Sequence, residues 1–140
     1  MLKDLFDYPD PEEAFLDENL AKLGDALVNL MYSLAMSMSK AEPDGAKVPN
    51  EVLSNSLSDA GFRHLAPSRV DSHRLADIVE AVVAYAWIKD EVGLEEAARI
   101  LSSSLSERDL DDRREVFKGA EEGFKNLLIE ISKRIPIEPD

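Results

Sequence analysis

Apolar residues recur along this chain in steps of three and four, the period of an amphipathic helix. The clearest run is Leu16, Leu20, Leu23, Leu27, Leu30 and Leu34. It predicts a long first helix, capped by Asp10 with Pro11 at its first position and running to about Ser39. Ahead of it, residues 1–10 read as a lead-in with Leu2, Leu5 and Phe6 interspersed. Ala41-Glu42-Pro43-Asp44-Gly45 ends the first helix in a loop. Val52, Leu53, Leu57 and Ala60 mark a second helix over residues 48–60, with Gly61 suited to its C-terminal cap. Residues 62–71 form a connection. Asp71 or Ser72 then opens a third helix that reaches about Ile88. Leu75, Ile78, Val79, Val82, Val83, Tyr85 and Trp87 make it apolar on most sides, the pattern of a buried central helix. A fourth helix covers residues 94–105 and a fifth runs from about residue 108 to residue 134, where Pro136 stops it. Residues 136–140 are a tail. No strand-like alternation or repeat is present. The expected fold is all-α, with about five main helices in a single domain over residues 1–140.

Two interruptions of this pattern carry chemistry. Gly24 sits in mid-helix, where glycine costs about 1 kcal/mol relative to alanine. Its position calls for space, to admit either a closely packed helix or a ligand at Asp25. Asp25 points well away from the leucine seam, with Glu18, Ala21, Lys22, Asn29 and Tyr32 along its side. The second interruption is Asp77 and Glu80, three apart and so neighbours on one face of the third helix. Burying two like charges is unfavourable unless a cation or a hydrogen-bonding network compensates. The plainer reading is a solvated polar side, or arginine and lysine partners.

The first stretch, Glu18-x-Leu20-Ala21-x-Leu23-Gly24-Asp25-Ala26, resembles the signature of the ribonuclease III family. Ala76-Asp77-Ile78-Val79-Glu80-Ala81 is similar to that family's other catalytic segment, and the order and separation of the two fit. The resemblance covers about the first two thirds of the chain. It implies that Asp25, Asp77 and Glu80 ligate Mg²⁺, with Mn²⁺ as a substitute, and support phosphodiester hydrolysis of double-stranded or structured RNA. Three carboxylates suit a hard ion that prefers oxygen. The resemblance also implies a homodimer paired through the region of the signature helix. The departure is Ala21, which stands where the family usually has a second glutamate. A glutamate one turn before Asp25 would lie about 6 Å along the axis and share an ion with it; Glu18 lies about 10 Å away. Glu18 is left to support the site from behind, or to pair with Lys22. The short Mini-III branch, which lacks a separate double-stranded RNA-binding domain, often has a small residue at this position, and 140 residues agree with that branch.

Composition modifies the picture at two points. The chain has no cysteine, which removes disulfides, thiolate metal sites and cysteine nucleophiles. Gly-x-Ser-x-Gly, a glycine-rich phosphate loop and His-Glu-x-x-His are absent as well. No apolar run approaches a membrane span and no secretory signal is visible, so a cytoplasmic location is expected. The formal net charge of −13 opposes nucleic-acid binding. Its distribution is uneven. Residues 1–18 hold Asp4, Asp7, Asp10, Glu12, Glu13, Asp17 and Glu18 against Lys3, whereas Arg63, Arg69 and Arg74 oppose only Asp71 within residues 60–74. Those three arginines are the expected RNA contacts, and structural pairing with the N-terminal acids is the alternative. Two rival functions remain. One is a catalytically degenerate dimeric scaffold or RNA-binding protein of the same fold, favoured by Ala21 and the charge. The other is an all-α Mg²⁺-dependent nucleoside triphosphate pyrophosphohydrolase, which a second acidic pair on the first helix would have supported.

Overall fold

The computed structural model describes residue 4 and residues 6–137. Most of the expected tail and part of the lead-in, Leu2 and Leu5 included, lie outside the described residues. Six α-helices follow in order: α1 Pro11–Phe15, α2 Glu18–Lys40, α3 Asn50–Asp59, α4 Ser72–Ile88, α5 Leu94–Leu105 and α6 Arg113–Ser132. A 3₁₀ turn, Arg63–Leu65, lies between α3 and α4. Among the described residues there is no strand, and no helix is long and apolar enough to cross a membrane.

The expected first helix is two. Leu16 closes α1, and the Asp17 side chain accepts from the Asn19 N–H to open α2. The same carboxylate also accepts from the Tyr8 hydroxyl at 2.8 Å. An N-cap and a tertiary bond therefore stop the chain where apolar spacing alone runs on. The fifth helix begins later than expected because Asp112 caps it through the Arg114 N–H, and Asp109 turns the residues before it. The second starts at Asn50, after Pro49. Gly61 takes φ +87°, the left-handed conformation expected of a residue that follows a helix end.

α4 is the centre of the fold. Twelve of its residues are buried, from Leu75 to Ile88. α1 reaches it through Phe15, whose ring stands edge-on to Tyr85 at 5.5 Å. α5 and α6 pair where Gly119 and Gly123 let Leu105 and Leu101 approach the α6 backbone. α3 meets α6 through Asn55, which donates to the Glu121 carboxylate at 2.6 Å. The core side of α2 is Leu20, Ala21, Gly24, Leu27, Val28, Met31, Tyr32 and Ala35. That side is rotated from the leucine seam. Leu16, Leu23, Leu30 and Leu34 are exposed, together with Met38. The seam therefore flanks the buried face and leaves an apolar stripe on the surface.

Candidate active site

α2 and α4 meet with almost no side chain between them. A Cβ on Gly24 would strike the Glu80 carbonyl and come within 2.9 Å of its Cα. Of the two reasons a glycine is needed there, close helix packing is the one observed. It has a further result, because Asp25, the next residue, is thereby held against Glu80.

The two helices and the start of α3 enclose an open cleft of about 420 Å³. Ala21 and Glu80 are buried at its base, only 4% and 5% exposed. Asp25 and half-buried Asp77 line it, with Glu18, Lys22 and Asn50 at its edge. Burial pushes the Glu80 carboxyl up to about 8, helped by its hydrogen bond to Asp25 and by the charges of Asp25 and Asp77. At neutral pH Glu80 is therefore the protonated partner and donates to the Asp25 carboxylate. Burial also raises Asp77, against the opposing charge of Arg74. The second hydrogen bond to Asp25 comes from Asn29, whose side-chain amide nitrogen donates to Asp25 Oδ1 at 3.2 Å. The Asn29 carbonyl oxygen in turn accepts from the Val48 N–H at 2.8 Å, which anchors the loop leading into α3.

Asp25, Asp77, Glu80 and Glu18, the acids singled out from sequence, all line the cleft. Glu18 lies 4.0 Å from an Arg74 nitrogen, so its cationic neighbour is Arg74, where Lys22 was expected. The three arginines part company. Arg74 stands near the cleft, but its guanidinium donates to the Leu16 carbonyl at 2.9 Å, tying α4 to the α1–α2 break. Arg63 donates to the Pro67 carbonyl at 3.3 Å, and Arg69 occupies a turn at φ +61°; neither lines the cleft. Asn50 escaped the sequence reading, and Asn29 was placed on the side of Asp25 but given no role. Asn50 reaches the site because α3 begins at its edge, and its amide nitrogen is 2.8 Å from His73 Nδ1. No local pattern marks either asparagine; the only available signal is that Asn29 follows Asp25 by one helical turn.

The donor set is all oxygen, which fits Mg²⁺ or Mn²⁺ and not a thiolate-seeking metal. Among the described residues no three such side chains are already gathered to hold an ion. What the cleft offers is the Asp25–Glu80 pair with Asp77 beside it. That is sufficient for Mg²⁺, which usually takes one or two carboxylates and keeps several waters.

An all-helical domain with a carboxylate cleft between two tightly crossed helices is the class these observations define. A family model described as Ribonuclease III matches residues 18–137, most of the chain, and the chain belongs to the ribonuclease III family. That family carries a ribonuclease-type function, is generally dependent on a divalent metal and generally binds double-stranded RNA. No curated protein matches the chain.

Proposed function

We propose that this chain is a divalent-metal-dependent endoribonuclease that cleaves double-stranded or structured RNA in the α2–α4 cleft, as a single domain acting in a homodimer. The observation that carries the reading is the meeting of Asp25, Asp77 and Glu80, from two separate motif segments, in one cleft. Asp25 and Glu80 would hold Mg²⁺, with Asp77 beside them in the cleft. The ion, when bound, supplies positive charge to the phosphate and lowers the pKa of water toward neutrality.

The chain's own groups do the rest. Glu80 would hold such an ion only as the carboxylate, so its proton would have to leave on ligation. Asn29 keeps Asp25 aimed into the cleft. Lys22 at the rim faces an incoming phosphate as a mobile point charge. Arg63 and Arg69, at the surface between α3 and α4, would contact phosphates further along the duplex. The exposed stripe of Leu23, Leu30, Leu34 and Met38 is the surface on which a second copy would pack, and it lies on the flank of α2 opposite Asp25.

Ala21 favours one second reading. The position is buried at the base of the cleft and adds no ligand where the family usually has one, as a degenerate scaffold would. Incubation of duplex RNA with the protein and Mg²⁺ or Mn²⁺, beside a panel of nucleoside triphosphates, decides among these functions. Cleavage that disappears in Asp77→Asn and Glu80→Gln supports the endonuclease. Binding without cleavage by the native protein supports the scaffold, and triphosphate hydrolysis supports the third function.

A further inference from the structure

On the far side of the α3 N-terminus lies a second concavity that the cleft does not use. One part, about 380 Å³, is lined by Met36, Pro49, Val52, Leu110 and Val116. The adjoining part, about 350 Å³, opens over Arg114, Lys118 and Glu121. Arg113 and half-exposed Phe117 line both, so the two form one groove along the first turns of α6.

The groove is apolar at its base and cationic at its rim, in a chain whose net charge is −13. Lys47, Arg113 and Arg114 are exposed and form no ion pair among the described residues. Three of the acids nearby have partners. Asp112 caps α6, Glu115 lies 3.3 Å from Arg108, and Glu121 accepts from Asn55. The groove's own lining carries Lys47, Arg113, Arg114 and Lys118 against Glu121, a cationic surplus around the partly exposed Phe117 ring. An aromatic face flanked by cations is a stacking platform for unpaired bases with their phosphates beside it.

Position connects the groove to the cleft. Pro49 lines the groove and the next residue, Asn50, lines the cleft. The two sites therefore share the start of α3 as a common wall. A strand leaving the cleft over the start of α3 enters the groove directly.

We propose that this groove binds a single-stranded RNA segment adjoining the duplex held in the cleft, with a base on Phe117 and phosphates on Lys47, Arg113 and Arg114. The inference rests on the nuclease reading for its substrate. The stripe on α2 has no comparable charge, which is why the occupant here is a polyanion and not a second copy.

The test is fluorescence anisotropy with a labelled, unstructured single-stranded RNA of about 12 nucleotides. It is run on the full chain and on Phe117→Leu, Phe117→Ala and the double variant Arg113→Ala with Arg114→Ala. An acidic peptide of similar length and charge is the control. Stacking and phosphate contacts of this kind predict about a tenfold rise in Kd for Phe117→Ala and for the double arginine variant. Phe117→Leu keeps the apolar volume and loses the stacking face, so it should bind weakly at an unchanged melting temperature. Cleavage of a duplex bearing a single-stranded tail should fall several-fold in these variants, with cleavage of a blunt duplex unchanged. Binding equal to the native protein in all the variants, or preference for the peptide, overturns the proposal. Absence of all cleavage by the native protein, with the anisotropy differences intact, overturns the nuclease reading and leaves the groove standing.

Discussion

Glu80 holds its proton because it is buried beside Asp25, and this makes the metal-free protein pH-sensitive. Its folded-state value of about 8 lies above the ordinary 4.5. The folded state therefore binds the proton more tightly than the unfolded chain does. The stabilisation is complete below about 4.5 and is lost as pH rises through about 8. Over that window the loss is of the order of a few kcal/mol. Glu80→Gln keeps a donor toward Asp25 and cannot ionise. In EDTA it should show no such decline and should exceed the native protein in urea midpoint at alkaline pH. A native protein as stable at about pH 9, above the window, as at about pH 5, near its lower end, would contradict the assignment. Gly24 makes a different residue-scale demand. Gly24→Ala places a methyl against the Glu80 carbonyl, with backbone on both sides and no flexible atom to yield. Overpacking costs about 1–3 kcal/mol, and this site belongs at the upper end. Equilibrium urea denaturation reads the loss, and cleavage should fall with it because Asp25 and Glu80 are pushed apart.

At the level of elements, the exposed stripe on α2 predicts an assembly. Leu30→Glu with Leu34→Glu should convert the protein to a monomer, with little change in its intrinsic melting temperature, since both side chains are already in contact with water. Light scattering at concentrations of tens of micromolar, where a specific interface persists, measures this. If the native protein is itself a monomer there, the stripe has another role. The same helix shows where sequence legibility ends. The fourth helix was readable to its bounds and the third nearly so, because caps and turn residues coincide with the ends of their apolar patterns. The α1–α2 break was not readable, since Leu16 continues the leucine period across it. What stops the helix is Asp17, bonded to both Asn19 and Tyr8, and one of those bonds is tertiary. Within α2 the leucine seam and the core face coincide only at Leu20 and Leu27. A leucine repeat states which residues are apolar, but small residues such as Ala21, Gly24 and Ala35 are what admit α4.

For the whole molecule, the question is how so acidic a chain holds a polyanion. The cations proposed to meet RNA are few and dispersed, which predicts modest affinity and a shallow salt dependence, with a log–log slope of about −0.9 per phosphate contact. Arg63→Ala and Arg69→Ala should each weaken duplex binding a few-fold across unrelated sequences, at nearly constant melting temperature. Arg74→Ala should behave differently. It removes the bond to the Leu16 carbonyl and the neighbour of Glu18, so it should lower the melting temperature. Filter binding over a salt series, paired with thermal melts, separates the two kinds of arginine. The candidate site was legible as chemistry, in three carboxylates and a glycine. Asn50 was not, because it enters through a helix start that tertiary packing brings to the cleft, and the role of Asn29 was not, because it depends on a bond to the distant Val48 N–H.

The contact at Gly24 has a consequence for how this protein can change over time. The separation of Asp25 from Glu80 is set by backbone lying on backbone, a hard stop that no side-chain rotamer adjusts. Elsewhere on these helices Val28, Met31 and Val83 are fully buried, and exchanges among apolar residues of similar size there alter packing without moving that stop. Drift in the core can therefore accumulate while the spacing of the two carboxylates is inherited unchanged. Fold stability and catalytic geometry become separately variable traits, joined at one glycine.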